Sequence, residues 1–319
     1  MAAPGKKPPR IATLLAAATE IVYGIGLGEC VVAISHECDF PPEASCKPRV
    51  TRSNVNDQLA SGEIDAQVKE LTRAGAPLYA IDEARLAELA PELIVTQAQC
   101  DVCAVRYEDV VAAVKRHPSL AGSKVIAINP ASIDDVLEDV VRIGEAAGER
   151  DAAIDYRARL QGRLASITDR TALLAEHERP RVAMVEWIEP LMLAGNWMPE
   201  IVRMAGGHDV MAEAGRASTY ADWRELLAYD PEVLIVAPCG FDLSRAHREA
   251  SLLAEQDGWS GIAAVGAGRV FAVDGNAYFN RSGPRLVDSV EILAHLIHPG
   301  RFPVPDCVPL PQRVWRHLP

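Results

Sequence analysis

An α/β fold of two Rossmann-like lobes, joined by a long rigid helix with a ligand cleft between them, is predicted by three features of the chain. Short apolar runs alternate with helical stretches from residue 10 to 130, a strand-free helical stretch follows from Ile133 to about Glu178, and the alternation then resumes to residue 298. At 319 residues the chain is also long for one core, since domains usually hold about 100 to 200 residues. The expected organisation is an N-terminal α/β lobe at 10–130, a helical spine at 131–178, a C-terminal α/β lobe at 179–298 and an extended tail at 299–319.

The elements follow from local pattern. Arg10–Leu15 reads as a strand and Thr19–Ile25 as a helix, with Thr19 as its N-cap and Glu20 in its first turn. Gly24, Gly26 and Gly28 stop that helix; their spacing is not the dinucleotide fingerprint. Val31–Ser35, Leu78–Ile81, Glu92–Gln97 and Lys124–Ile128 are strands, and Glu63–Ala74, Glu83–Leu89 and Tyr107–Arg116 are helices. In the spine, Val136, Val140, Ile143 and Ala147 share one helical face, and Ile154, Leu160, Leu164 and Ile167 continue it beyond Gly148-Glu149. Arg181–Glu186, Val233–Ala237 and Arg269–Val273 are the strands of the second lobe, with helices at Met198–Ala205, Trp223–Ala228 and Ser282–Ile297; Pro284 falls in the first turn of the last.

Composition narrows the function classes. The formal charge is -12, from 32 basic and 44 acidic residues, and no basic run exceeds Lys6-Lys7, which excludes a nucleic-acid phosphate surface. No window approaches the roughly 18 uncharged apolar residues of a membrane span, so no membrane insertion is expected. The stretch Ile11–Leu27 fails as a secretory segment because Glu20 interrupts it and three glycines follow. The chain as given therefore reads as cytoplasmic, or periplasmic if its start is truncated, and as a monomer. Seven cysteines fit free thiols or metal ligands better than a disulfide framework.

Two sets of residues carry chemistry. Cys100-Asp101-Val102-Cys103 lies directly behind the apolar run Leu93–Thr96, at the carboxyl end of a buried strand, where open α/β sheets keep their ligands. With Cys38 and Cys46 after the second strand, and His36 at the same rim, the pair could form a closed tetrahedral four-cysteine zinc or iron site; alternatively it cycles between thiol and disulfide, or only packs beneath its loop. Cys30, Cys239 and Cys307 read as structural. The second set is aromatic. Loops expected to face the cleft supply Phe40, Trp187, Trp197, Tyr220, Trp223, Tyr278 and Phe279, which either grip a flat apolar ligand or fill the core. Glu186 beside Trp187 suits a ligand amide or a loop backbone, and Arg281 a ligand carboxylate or a loop tie. No nucleophile and base stand together, so the chain is not read as an enzyme.

Short motifs then carry a resemblance. Arg10-Ile-Ala-Thr-Leu with Ala18-Thr19-Glu20-Ile21, Gly26-Leu27-Gly28, Cys38-Asp39-Phe40-Pro41-Pro42, Asp230-Pro231-Glu232-Val233 and Asn280-Arg281-Ser282-Gly283-Pro284-Arg285 resemble the vitamin B12-binding proteins of ABC importers, whose two lobes are helix-linked. Ser61-Gly62-Glu63-Ile64-Asp65 and Leu78-Tyr79-Ala80-Ile81-Asp82 resemble a signal-peptide-lacking, cobalamin-binding branch that carries the Cys-x-x-Cys loop. The resemblance implies a small-molecule ligand, cobalamin or a related corrinoid, and an ABC permease as partner if the protein is exported. It maps aromatic positions onto Phe40, Trp187 and Tyr278-Phe279. Importer-docking carboxylates would fall near Glu83 and Glu225 without a clean match. The family's tryptophan after the second strand has no equivalent near Thr51-Arg52-Ser53-Asn54, where this chain carries an extra segment to about Ala76. Siderophore, haem and metal binders share the architecture, so the alternative is a thiol-dependent metal, haem or siderophore-like carrier, or a redox protein, using Cys100 and Cys103.

Overall fold

The computed structural model describes residues 8–98 and 104–305. The chain divides into two compact units: one holds the residues through Gln58, Ala66–Pro130 and Asp134–Arg159, the other Leu59–Asp65, Ala131–Ile133 and the residues from Leu160 onward.

The first unit is built on β1 (Ile11–Thr13), α1 (Ala16–Gly24), β2 (Val31–Ile34), β3 (Thr51–Ser53), most of α2 (Ser61–Arg73), β4 (Tyr79–Ile81), α3 (Glu83–Leu89), β5 (Leu93–Gln97), α4 (Tyr107–Arg116) and β6 (Lys124–Ile128). Its main sheet has the order β2-β1-β5-β6 and is parallel throughout, which explains why β5 opens with consecutive apolar residues, Leu93 to Val95: every residue of the strand is buried, Thr96 and Gln97 included. Ala12, Leu14, Ala33 and Ile94 meet Leu86 of α3 and Val110 of α4 in one core. The strand expected at Leu78–Ile81 does not join this sheet; β4 pairs antiparallel with β3 in a separate ribbon. The polar triplet Thr51-Arg52-Ser53 carries no strand pattern of its own, so β3 depends on that pairing.

Thr19 corrects the sequence reading. Only Leu14 and Leu15 separate β1 from α1, so the helix begins at Ala16 and Thr19 lies inside it, fully buried. Its hydroxyl shares a 2.7 Å hydrogen bond with Thr13 Oγ1 and donates to Cys38 Sγ at 2.9 Å, tying the carboxyl end of β1 to the loop after β2. The glycine stop holds: α1 ends at Gly24, where a Cβ would stand 2.1 Å from the Tyr156 ring.

Helices α5 (Ile133–Ala147) and α6 (Arg150–Thr171) form the expected strand-free stretch, separated at Gly148 with φ +84°. Val136, Val140, Ile143 and Ala147 are buried along one face of α5, and Leu160, Leu164 and Ile167 along α6.

The second unit continues with β7 (Val182–Trp187), β8 (Met192–Leu193), α7 (Met198–Met204), β9 (Thr219–Tyr220), α8 (Trp223–Tyr229), β10 (Val233–Val236), α9 (Leu243–Glu249), α10 (Ala263–Gly266), β11 (Val270–Ala272) and α11 (Leu286–Ile297). Its sheet runs β11-β10-β7-β8-β9, parallel from β11 to β7 and antiparallel beyond. Asp222 and Glu225 form a capping box at the start of α8, and Asp242 caps α9 by accepting from Arg245 N at 2.8 Å. Pro284 stands before α11 rather than in its first turn, since the helix opens only at Leu286. Arg163 of α6 pairs with both Asp288 and Glu291 of α11. Among the described residues no helix is long and apolar enough to cross a membrane.

Asp139 generates a stability prediction. Burial raises its carboxyl to about 6 against the opposing pull of Arg142, and its Oδ2 has no hydrogen-bond partner. The folded state therefore binds this proton more tightly than the unfolded chain, so the stabilisation is present at low pH and is lost as pH rises from about 4 towards 6. Asp139→Asn should be more stable than the native chain at pH 8 by on the order of 2 kcal/mol, with the gap closing near pH 4; urea melts at the two pH values check this.

Candidate functional site

In a parallel sheet the loops at the carboxyl ends of the strands reach a ligand, and in the second unit β7 delivers Glu186 and Trp187 there. Glu186 is set into the unit by three consecutive contacts. Ser218 Oγ donates to its Oε2 at 2.7 Å, Gly195 N donates to that same hydroxyl at 3.0 Å, and Cys239 N, after β10, donates to the Glu186 carbonyl at 3.0 Å. Gly195 is required by close approach: a Cβ would lie 2.3 Å from the Arg216 carbonyl oxygen. Burial pushes the Glu186 carboxyl above its ordinary value, opposed by the Ser218 hydrogen bond.

Trp187 is half-buried with its ring 5.2 Å from Phe241, tilted by 57°, and Arg245 lies 3.6 Å above the other ring of that pair. The Trp187 indole N–H donates to the Ser61 carbonyl at 3.2 Å. Tyr220, 52% exposed on β9, donates its hydroxyl to Asp65 Oδ1 at 2.7 Å. Both partners belong to the segment Leu59–Asp65, in which Ser61–Asp65 are the first turn of α2 and Leu59-Ala60 lead into it.

The loop after β11 makes the third side of this edge. Asp274 caps a π-turn at Gly275–Phe279 by accepting from Ala277 N, and Gly275 rides so close to the preceding loop that a Cβ would stand 2.2 Å from the Pro238 carbonyl oxygen. Asn280 Nδ2 donates to the Ala237 carbonyl at 2.8 Å, and Arg281, buried, donates to Asn276 Oδ1 at 3.1 Å. The Asn280-Arg281 pair thus ties loops together. Tyr278 is half-buried under Arg285, whose guanidinium sits 5.3 Å from its ring centre.

Three of the aromatics take the core or bracing role that stood as the alternative to gripping a ligand. Phe279 has no exposed surface and Trp197 only 6%, with the Trp197 N–H donated to the Phe279 carbonyl at 2.9 Å. These two are core residues, because the π-turn folds back over α7 and encloses them. Trp223 stacks on Trp259 at 6.2 Å and donates to the Asp257 carbonyl at 2.8 Å, bracing the start of α8. Phe241, Ser218, Arg245 and Glu249 were not among the sequence candidates. Phe241 carried a usable signal, since it follows a buried strand through Pro238-Cys239-Gly240; Ser218 meets Glu186 only through the β8–β9 pairing.

In the first unit, Phe40 is 41% exposed in the loop after β2, preceding a cis Pro41. Of the expected metal set, the described members Cys38, Cys46 and His36 do not come together there. Cys38 is fully buried, accepting from Thr19 and directed at the Thr13 carbonyl, whereas Cys46 is exposed on a short 3₁₀ turn. His36 Nδ1 is 2.7 Å from Thr51 Oγ1, its ring lies against Tyr79, and burial, reinforced by Arg49, lowers its proton affinity. Among the described residues no three His, Cys, Asp or Glu side chains stand together to hold a metal ion. Cys100 and Cys103 lie outside the described residues. Glu83 is engaged by Arg116 and His117, and Glu225 by the Asp222 backbone, so neither carboxylate projects unengaged as a docking group would.

Comparison with known proteins places this geometry. The family model described as periplasmic binding protein matches residues 11–277. An uncharacterized ABC transporter substrate-binding lipoprotein of Bacillus subtilis is 24% identical over 301 residues, 93% of this chain and 82% of that protein. A cobalamin-binding protein of Halobacterium salinarum is 25% identical over 92% of this chain and 70% of its own length. Among solved structures, the periplasmic vitamin B12 binding protein of Vibrio cholerae aligns with a TM-score of 0.65 at 18% identity, covering 92% of this chain and 98% of that one. A periplasmic heme binding protein of Pseudomonas aeruginosa aligns at 0.70 and 17% identity, covering 94% and 96%. At these identities the structures share the fold with this chain.

The placement of the aromatics separates core from edge. Phe279→Ala should cost about 3–5 kcal/mol of stability, whereas Tyr220→Phe should cost about 1 kcal/mol or less. Denaturant melts of both variants read the difference, and equal losses would contradict the assignment of Phe279 to the core.

Proposed function

Because the chain belongs to the periplasmic binding protein family, we propose that it is a non-enzymatic solute-binding protein of an ABC transporter whose ligand is a corrinoid, cobalamin or a close relative. The observation that carries this reading is the pairing of an aromatic face, Trp187, with a half-buried, hydrogen-bonded acid, Glu186, at the carboxyl end of β7. A corrin is flat, largely apolar and edged with amide arms, so it calls for an aromatic surface and a few fixed polar groups. Trp187 offers a ring held in place by Phe241, and Glu186 offers a carboxyl fixed by Ser218. Tyr220, Tyr278 and Phe40 remain at the edges of their loops with accessible surface. Arg281 serves this site by fixing the loop that carries Tyr278.

Relatives named for cobalamin and vitamin B12 support the ligand class, at 22–25% identity over about nine-tenths of the chain. The family's name and the lipoprotein relative favour a location outside the cytoplasmic membrane over the cytoplasmic expectation, with an ABC permease as the partner. Haem is the second reading, supported by the solved structures named as heme-binding.

Titration with hydroxocobalamin, followed by its visible absorption, tests the proposal. Saturable binding at one per chain is expected, weakened about tenfold to a hundredfold by Trp187→Ala, the range of a central aromatic contact. Binding should survive Cys100→Ser combined with Cys103→Ser. A saturable response to hemin alone would transfer the site to haem, and loss of binding in the double serine variant would move the function to the thiols.

A further inference from the structure

The residues that make the best ligand-facing edge of the second unit already hold something: the chain's own turn Leu59–Asp65. Its backbone and side chains meet the edge at successive points. The Ser61 carbonyl takes the Trp187 N–H at 3.2 Å, and Asp65 takes the Tyr220 hydroxyl at 2.7 Å. Ser61 N donates to Glu249 Oε2 at 3.2 Å, and Arg245, seated over Phe241, donates to the Leu59 carbonyl at 2.5 Å. Gly62 packs so closely that a Cβ there would lie 3.2 Å from the Glu189 carboxyl carbon.

These contacts are polar backbone and side-chain bonds of the sort a ligand's amide and carboxylate groups make, directed at the same aromatic side chains. One of them is imperfect. Ser61 is fully buried, yet its hydroxyl has no hydrogen-bond partner. A buried unmet hydroxyl weakens the docked form, which is what a displaceable segment requires.

We propose that the turn Leu59–Asp65 is a strap that occupies the ligand edge of the second unit and leaves when ligand arrives, so that strap and ligand exclude one another. The proposal rests on the corrinoid or haem reading of that edge. A protein whose binding-competent state is populated only in part binds with its affinity reduced by that fraction. The strap thus sets a threshold: it lowers affinity for all ligands equally and demands that a ligand replace the contacts of Ser61 and Asp65.

The test combines amide hydrogen exchange across residues 59–65 with titration by hydroxocobalamin and by hemin. In the native chain, saturating probe should accelerate exchange in the turn. A double variant, Asp65→Ala with Glu249→Gln, should show faster exchange there without probe and bind the probe about tenfold more tightly. Should that variant fail to fold, Asp65→Asn alone carries the test, with a tightening of about threefold. Protection of the turn on binding would make it a wall of the site and overturn the strap while leaving the ligand reading intact. Faster exchange without tighter binding would overturn it equally. Binding seen only in the loosened variant would support the strap directly. If neither form binds either probe although the turn has demonstrably been released, the ligand reading fails and the strap falls with it.

Discussion

The position of β7 is the constraint on which the second unit's functional edge depends. It pairs in parallel with β10 on one side and antiparallel with β8 on the other, so its backbone groups are engaged along both flanks. Its last two residues therefore emerge at a defined place, between the loop after β10 and the loop leading into β9. From the first comes Phe241, against which Trp187 rests; next to the second stands Ser218, which holds Glu186. If β7 shifted by one residue, the indole and the carboxyl would exchange faces.

The two aromatic classes at this edge differ in how their polar atoms are satisfied. Trp197 hydrogen-bonds a core carbonyl and is closed off, so it stabilises the π-turn that covers it. Trp187 and Tyr220 instead donate to a turn drawn from a distant part of the sequence. Both arrangements satisfy a buried or half-buried donor. Only the second leaves a side chain whose partner can be replaced without breaking the hydrophobic core.

The first unit shows how chemically suggestive residues become structural. Cys38 and His36 follow β2 closely and share the sequence neighbourhood of a metal ligand set, yet each finds a nearer partner. The Cys38 thiol meets Thr19 because α1 starts early and turns that hydroxyl inward, and His36 meets Thr51 because β3 runs beside the loop after β2. Neither α1's true start nor the β3–β4 ribbon was legible locally: Ala16–Ala18 carry no cap signal, and Thr51-Arg52-Ser53 has no apolar alternation. Which of its two readings holds for Phe279 was hidden for a related reason, since Tyr278-Phe279 looks like a loop pair until the π-turn folds it inward.

By itself the sequence determined the α/β class, the strands at Glu92–Gln97, Lys124–Ile128 and Val233–Ala237, the helices Glu83–Leu89 and Tyr107–Arg116, and the apolar face of the spine. Those features rest on periodicity and burial within a single segment, which neighbouring residues encode. It also pointed to Trp187 and Glu186, because they directly follow a buried run. Only the tertiary structure decided which aromatics are accessible, which thiol is closed off, and that the turn Leu59–Asp65 rests on Trp187 and Tyr220. The last depends on hydrogen bonds between residues more than a hundred positions apart, and the others on partners 19 and 82 positions away, whose geometry no local pattern contains.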